Sequence, residues 1–309
     1  MKAVRVYEYG DVGVLRHEEV SRPAIAPGEV LVRVRAAGVN PADCQIRAGH
    51  YRNVLPLPLP FIPGWDLAGT VETVGADVTR WRPGDRVFAM ADMSRDGAYA
   101  QFIAIAATSL APAPSTVPLA HAAGAPLALL TAWQSLFEEG ALERGRRVLV
   151  HAAAGGVGQF TVQLARHAGA HVLATASPGN AERVRALGAE EVLDYRGDEL
   201  RRVRDIDLII DAAGGETRER SWNLLRPGGR LVAVAMPPPD PVVAARHGVE
   251  CRMVAVRPDG ARLEQLAPLF QSGALRVAIE RELPLREAAA AHALSETRHV
   301  RGKIILRVE

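Results

Sequence analysis

The sequence predicts an α/β protein with two lobes, one a doubly wound parallel sheet and the other a smaller lobe made mostly of β-strands. Three observations support this prediction. Short β-type runs bounded by Gly, Pro or Asp fill residues 1–110. From residue 119, helix-type and strand-type segments alternate, which is typical of a parallel sheet with helices on both faces. A glycine-rich turn joins a strand to a helix within residues 146–169.

The first lobe is predicted to be a small barrel-like β domain with little helix. Its stretch of four prolines, residues 54–63, is expected to form an extended loop, because proline lacks a backbone N–H and cannot continue a helix. One short helix is predicted over residues 41–48, directly after Asn40. The predicted strands are residues 2–7, 28–37, 69–74, 85–89 and 99–106.

The second lobe is predicted to begin with a buried helix at the domain junction, residues 117–133. Its other helices are predicted at 156–167, 181–187 and 216–225, and its strands at 148–152, 171–176, 191–194, 207–211, 230–235 and 251–256. The last part of the chain should return to the first lobe as helix, strand, helix and strand, over 261–272, 278–283, 285–294 and 303–308. The predicted domains are therefore residues 1–118 with 257–309, and residues 119–256.

The composition argues against several classes of protein. Because the net charge is +2, the arginines are dispersed and aromatic residues make up 5% of the chain, neither nucleic acid nor a membrane is expected as a partner. The two cysteines, Cys44 and Cys251, fit a reducing, cytoplasmic compartment. The first residues lack the apolar run of a signal peptide. His50, His121 and His151 form no pattern with a nucleophile, which argues against hydrolase chemistry.

The glycine-rich turn is the strongest functional signal. It follows the apolar run 148–150 and carries the G-x-G-x-x-G pattern with alanine at the first position, as Ala153, Gly155 and Gly158. Such a turn lets the backbone approach a pyrophosphate, and the following helix offers its free N–H groups. The predicted cofactor contacts here are Ala154, Gly155, Gly156, Val157 and Gly158. The alternative is a tight turn in an α/β protein that binds no nucleotide.

Further motifs extend along nearly the whole chain. They are AAGVNPAD at 36–43, PGWDLAG at 63–69, PGDRV at 83–87, LTAW at 130–133, LGA at 187–189, RPGG at 226–229 and GK at 302–303. Together with the glycine-rich turn they resemble the medium-chain dehydrogenase/reductase superfamily, in its zinc-free quinone oxidoreductase branch, which includes zeta-crystallin-like proteins. The resemblance implies a GroES-like catalytic domain, a Rossmann domain that binds NADP(H), and a homodimer.

The resemblance also bears on metal binding. Zinc-dependent relatives have a cysteine where this chain has Asn40, and a His-Glu pair where it has Trp65 and Asp66. A catalytic zinc needs three protein ligands, and neither Asn nor Trp replaces the missing thiolate and imidazole. The four-cysteine structural zinc loop is absent, because the chain has only two cysteines. We therefore expect no metal, and Cys44 is interpreted as a packing residue.

The type of nicotinamide cofactor depends on the residue that meets the adenosine ribose. NAD-binding proteins place an acidic residue there, about 20 positions after the glycine turn. In this chain that offset falls on residues 175–177, which are Thr, Ala and Ser, and the next acid is Glu182, inside the following helix. An acid at the strand end would repel a 2′-phosphate. Its absence favours NADPH.

Several residues could hold that 2′-phosphate. Ser177, Asn180 and Arg183 follow the strand, although Ser177 and Asn180 could equally form a turn and helix cap, and Arg183 a solvated helix face. The resemblance adds Tyr195, after the next strand. Relatives often carry Lys or Arg where this chain has Gly179 and Asn180.

The resemblance suggests residues near the reacting groups. It places Asn40 beside the nicotinamide, where its amide could donate to a substrate carbonyl, although an Asn-Pro turn is an equal alternative. It places Thr131 near the nicotinamide, and Lys303 in reach of the cofactor unless it is a surface charge at a strand start. Tyr51 is a further candidate hydroxyl, or a surface residue. Gln45 stands where some relatives have Tyr or Lys.

The predicted function is an NADPH-dependent, zinc-independent oxidoreductase that transfers hydride to a small molecule, either a quinone or an α,β-unsaturated carbonyl. Two alternatives remain open at this point. One is a biosynthetic enoyl or enone reductase of the same superfamily, which would need a longer cleft with basic groups. The other is a non-catalytic NADPH-binding protein.

Overall fold

The computed structural model describes residues 1–309, which form two compact units. The first unit comprises Met1–Leu130 and Arg257–Glu309, and the second comprises Thr131–Val256. The boundary between the compact units falls after residue 130, later than the predicted domain boundary at residue 118, so residues 119–130 belong to the first unit. There the Leu127 N–H donates a 2.6 Å hydrogen bond to Asp66, a first-unit residue.

The chain contains fifteen strands and nine α-helices. The strands are β1 (Lys2–Val6), β2 (Leu15–Glu19), β3 (Glu29–Val39), β4 (Asp66–Val74), β5 (Arg86–Met90), β6 (Phe102–Ala106), β7 (Leu110–Pro112), β8 (Arg147–Val150), β9 (His171–Ala176), β10 (Glu191–Asp194), β11 (Ile206–Asp211), β12 (Leu225–Ala233), β13 (Glu250–Met253), β14 (Ile279–Pro284) and β15 (Lys303–Arg307). The helices are α1 (Pro41–Arg47), α2 (Leu119–Ala122), α3 (Pro126–Trp133), α4 (Gly156–His167), α5 (Ala181–Ala186), α6 (Gly215–Glu219), α7 (Pro241–Arg246), α8 (Gly260–Gln271) and α9 (Ala288–Glu296).

The first unit is built on a seven-stranded sheet in the order β14-β15-β3-β4-β5-β7, with β6 also paired to β3. All its pairs are antiparallel except β14 with β15. A separate hairpin joins β1 to β2. Large apolar side chains fill the core of this unit, among them the fully buried Phe61, Trp65 and Tyr99. As predicted, residues 54–63 form no helix and no central strand.

The second unit is a six-stranded, entirely parallel sheet in the order β10-β9-β8-β11-β12-β13. Its central strand β8 is short and apolar, and Val148, Leu149 and Val150 are fully buried, as in sheets covered on both faces. The strand order reverses between β8 and β11, which is the switch point where such sheets bind ligands at their carboxyl ends. The predicted fold class, a doubly wound parallel sheet plus a mostly-β domain, is confirmed.

Two predicted helices are interrupted. The segment 117–133 forms two helices, α2 and α3, because Pro126 at the start of α3 has no N–H with which to continue the first one. The predicted helix over 216–225 ends at Glu219, and a 3₁₀ turn (Trp222–Leu224) leads into β12. Trp222 and Leu224 are buried in the core of the second unit, and packing there outweighs the helical pattern.

Three elements were not predicted: β2, β7 and α7. A local signal for α7 exists, since the Asp240 carboxylate accepts from the Val242 N–H at 2.8 Å and Pro241 occupies the first helical position. No helix in the chain is both long and apolar enough to cross a membrane.

Gly158→Ala tests the close packing at the start of α4. A Cβ at this position would lie 2.3 Å from the Ala152 carbonyl oxygen and 2.7 Å from the Ala153 Cα, and backbone atoms cannot rotate away. We expect the variant to lose about 1–3 kcal/mol of unfolding free energy, measured by urea titration. The control is Gly179→Ala, because nothing lies within 4 Å of a Cβ there. Equal stability of the two variants would contradict the packing argument.

Candidate functional site

The turn between β8 and α4 presents backbone donors at the carboxyl edge of the sheet. Gly155 is the N-cap of α4, no side chain caps the helix, and its first turn contains no acidic residue. The N–H groups of the first helical residues have no partner within the helix, and the helix dipole makes this end positive. Five of the cofactor contacts predicted from the sequence lie in this turn and its helix start: Ala154, Gly155, Gly156, Val157 and Gly158. Such an end suits a pyrophosphate.

A second set of predicted residues follows β9 and β10, which are adjacent parallel strands. Ala176 and Asp194, their last residues, are register partners, so Ser177 and Tyr195 leave the sheet at the same edge. The Asn180 amide donates to Ser177 Oγ at 2.9 Å, which leaves the Ser177 hydroxyl hydrogen free to donate to a ligand. Arg183 lies in the short helix α5, which follows. No acidic side chain occurs among residues 177–180.

A buried polar cluster joins three segments of the first unit. The Asn40 amide donates to Asp66 Oδ2 at 2.9 Å, and the Lys303 ammonium donates to the same oxygen at 3.0 Å. Lys303 also donates to Asn40 Oδ1. Asn40 precedes α1, Asp66 begins β4 and Lys303 begins β15, and none of the three is more than 3% exposed. The cluster therefore contains a buried ion pair bridged by an amide.

This cluster fixes the orientation of the Asn40 amide. An ammonium can only donate, so the oxygen of the amide must face Lys303 and its nitrogen must face Asp66. One of the two amide hydrogens binds Asp66, and the second has no protein acceptor. Lys303 is only 3% exposed. The alternative interpretation of this residue as a surface charge at a strand start is therefore wrong.

Behind Asn40 lies a second buried network. The Asp43 carboxyl accepts the Asn40 backbone N–H at 2.8 Å, and the Tyr99 hydroxyl lies 3.2 Å from the same carboxyl oxygen. Tyr99 Oη also lies 3.1 Å from His292 Nε2. Burial raises the pKa of Asp43 to about 7, and burial lowers the pKa of His292 to about 3. Near neutral pH the histidine is uncharged and the carboxyl group titrates.

Sequence reasoning missed Asp43, Tyr99 and His292. A signal for Asp43 existed, since it stands three residues after Asn40 with a proline at the first helical position, the spacing of a capping box. Tyr99 and His292 gave none, because 193 positions separate them in the chain. The third catalytic candidate, Thr131, is buried at 3% exposure, and Tyr51 is half-buried, with a pKa raised by burial.

His151 is buried in the second unit and forms hydrogen bonds there. Its Nε2 lies 2.9 Å from Ser221 Oγ and its Nδ1 lies 3.0 Å from Thr175 Oγ1. Ser221 donates its own hydrogen to the Thr217 carbonyl at 2.6 Å, so it accepts from the imidazole. Burial lowers the pKa of His151 to about 4. A serine that donates to a backbone carbonyl in a sealed core is not an activated nucleophile, which agrees with the absence of a hydrolase pattern.

The fold and these two sites together define a class of protein, a dehydrogenase with a GroES-like domain and a Rossmann domain. The family described as "Alcohol dehydrogenase GroES-like domain" matches residues 26–115, and the family described as "Zinc-binding dehydrogenase" matches residues 187–306. These names describe families and not the metal content of this chain.

Similar proteins identify the branch of the superfamily to which the chain belongs. Over 326 residues the chain is 32% identical to the chloroplastic quinone-oxidoreductase QR1 of Triphysaria versicolor, covering 99% of this chain and 98% of that protein. It is 34% identical to the chloroplastic NADPH-dependent alkenal/one oxidoreductase of Arabidopsis thaliana, covering 99% and 79%. The solved structure of mycobacterial Rv1454c complexed with NADPH matches with a TM-score of 0.90 and 34% identity, over 99% of this chain and 100% of that one. The chain belongs to the medium-chain dehydrogenase/reductase superfamily, in its quinone oxidoreductase branch, as its motifs predicted.

Asp43→Asn tests the protonation of the network behind Asn40. Asp43 has a pKa of about 7 in the folded protein, against an ordinary value of 3.8, so between these two pH values the folded state holds a proton that the unfolded state has released. The wild type must therefore lose stability as the pH rises through this range, relative to a variant that has no such proton. We expect the advantage of the variant to grow from about pH 4 to about pH 7 and then level off, in urea titrations. A difference independent of pH would contradict the buried, protonated carboxyl.

Proposed function

We propose that this protein is an NADPH-dependent oxidoreductase that reduces a quinone or an α,β-unsaturated carbonyl without zinc. The observation that carries the proposal is the uncapped glycine turn before α4, at the carboxyl edge of a sheet with dinucleotide-binding strand order. The names of the relatives support both substrate classes, since one is a quinone oxidoreductase and another acts on alkenals and alkenones.

The residue at the end of β9 supports a preference for NADPH. An acidic side chain there would bind the 2′-hydroxyl of NADH and repel a 2′-phosphate. This chain has Ser177 instead, with a hydroxyl hydrogen free to donate. The related mycobacterial structure that contains NADPH supports the same choice.

The donors around Asn40 support zinc independence. A catalytic zinc needs three thiolate, imidazole or carboxylate ligands, and here Asp66 is joined by an amide and an ammonium. The ammonium of Lys303 already neutralises Asp66 and would repel a second cation. Trp65 is fully buried, with its indole N–H donating to the Arg95 carbonyl at 3.0 Å. The chain holds no group of three or more His, Cys, Asp or Glu side chains that could bind a metal.

The residues of the chain would share the work as follows. NADPH, when bound, supplies the hydride. The backbone from Ala154 to Gly158 would hold the pyrophosphate, and Ser177 with Tyr195 would meet the ribose phosphate. Asn40 would donate its second amide hydrogen to the substrate carbonyl oxygen, where negative charge develops. Lys303, behind the amide, polarises that donor, and solvent supplies the proton. Tyr51 and Thr131 remain candidates for positioning the substrate and the nicotinamide. The homodimer and the cytoplasmic location also remain predictions.

A panel of acceptors tests the reaction. We expect the purified protein to oxidise NADPH faster than NADH with quinones or activated enones. The rate is measured as loss of the nicotinamide absorbance band. A chelator should leave the rate unchanged, and metal analysis should find no stoichiometric zinc. Turnover of long enoyl thioesters alone would favour the biosynthetic alternative. NADPH binding without turnover of any acceptor would favour a non-catalytic protein, and tighter binding of NADH would overturn the cofactor choice.

Asn40→Ala tests the proposed carbonyl donor. Loss of one such donor should lower kcat about 100-fold, because the developing charge on oxygen loses a positioned hydrogen bond. NADPH affinity, measured by nicotinamide fluorescence, should stay within about twofold. This corresponds to a change of about 0.4 kcal/mol or less in binding free energy. Tyr51→Phe in the same assay shows whether the second candidate hydroxyl contributes. An unchanged kcat in Asn40→Ala would remove Asn40 from the mechanism.

A further inference from the structure

The turn after β10 carries a positive charge beside the predicted phosphate contact. Arg196 Nε donates to the Tyr195 hydroxyl at 3.0 Å, and the guanidinium carbon lies 5.1 Å from the centre of the tyrosine ring. Arg196 forms no ion pair, and no protein acceptor contacts its two terminal nitrogens. Four N–H donors of this exposed side chain are therefore free to bind an anion.

The position of this charge follows from the register of the sheet. Because Ala176 and Asp194 are partners in adjacent parallel strands, the turn that begins at Tyr195 emerges beside the turn that begins at Ser177. In this fold the end of the second strand, here β9, meets the adenosine ribose, and an arginine nearby accommodates a 2′-phosphate. Arg196 lies two residues beyond Asp194, the last residue of β10.

Two further contacts hold the turn in place. The Arg220 guanidinium donates to the carbonyls of Tyr195 and Gly197, at 3.4 and 3.3 Å. The Arg196 backbone N–H donates to Asp194 Oδ1 at 3.0 Å, so this neighbouring carboxylate is engaged by the backbone and not by the guanidinium. The other acid of the turn, Asp198, is paired with Arg201 at 3.2 Å.

We propose that Arg196, held against Tyr195, binds the 2′-phosphate of NADPH and takes the part of the basic residue that this chain lacks at positions 179 and 180. This proposal rests on the proposed function, because it assumes that NADPH is the cofactor. A guanidinium is suited to the task, since its paired N–H groups match phosphate oxygens in bidentate geometry. Arg196 is thus a specificity-determining residue, and it distinguishes NADPH from NADH.

Arg196→Gln tests this inference by binding alone. A charge-assisted contact of this kind contributes about 1.5–3 kcal/mol, so the dissociation constant for NADPH should rise about 10- to 100-fold. The constant for NADH should not change, which also shows that the variant is folded. Nicotinamide fluorescence measures both, and calorimetry with adenosine 2′,5′-bisphosphate against adenosine 5′-monophosphate isolates the phosphate. The matched control is Arg202→Gln, which removes the same charge from an exposed arginine in the next turn.

Further variants separate charge from position. Arg196→Lys keeps the charge without the planar guanidinium, and should lose less NADPH affinity than Arg196→Gln. Tyr195→Phe removes the hydroxyl that anchors Arg196 and should give an intermediate loss. An unchanged ratio of NADPH to NADH affinity in Arg196→Gln, or an equal change in Arg202→Gln, would overturn the inference. The proposed function fails on a different observation, tighter binding of NADH than NADPH by the wild type.

Discussion

The buried pair of Asp66 and Lys303 is the interaction on which the first unit depends most. The Asp66 carboxylate accepts hydrogen bonds from the Lys303 ammonium, the Asn40 amide and the Leu127 N–H. One carboxylate thus connects the starts of β4 and β15, the N-cap of α1 and the start of α3. Removing one partner of such a pair leaves a charge stranded in the interior, at a cost of about 3–5 kcal/mol. The arrangement of these four segments is therefore tied to the presence of both charges.

The same pair bears on the chemistry that we propose for this site. The Lys303 ammonium donates to both Asp66 and Asn40 and neutralises the carboxylate. The charge of Lys303 acts through the Asn40 amide. Lys303 binds the amide oxygen, so the amide nitrogen points away from Lys303. We propose that an amide donor, which is weaker than a Lewis acid, suits substrates whose conjugation already spreads negative charge, such as quinones and enones, better than unactivated alcohols.

The fold was largely predictable because its signals are local. The apolar run of β8, the glycine turn and the helix after it lie within one stretch of chain, and alternation of helix and strand implies a parallel sheet. The single helix predicted over 117–133 was wrong for a local reason, since Pro126 has no N–H with which to continue a helix. The end of α6 was mispredicted because tertiary burial of residues such as Trp222 decided the outcome there. The partners of Asn40 were hidden for the same reason, because Asp66 and Lys303 lie 26 and 263 positions away. Sequence spacing identifies residues that could act, and only the fold shows which of them meet.

The proposed cofactor preference depends on the ends of two adjacent strands, β9 and β10, rather than on one motif. The sequence alone offers a negative argument, the missing acid after β9, and the basic residue expected at 179 or 180 is absent as well. Parallel pairing brings the turn after β10 to the same edge, and with it Arg196. A site of this kind needs only one positive side chain near the phosphate, whichever strand supplies it. Loss of the basic residue from one turn is therefore compatible with NADPH use, provided that the neighbouring turn retains its charge.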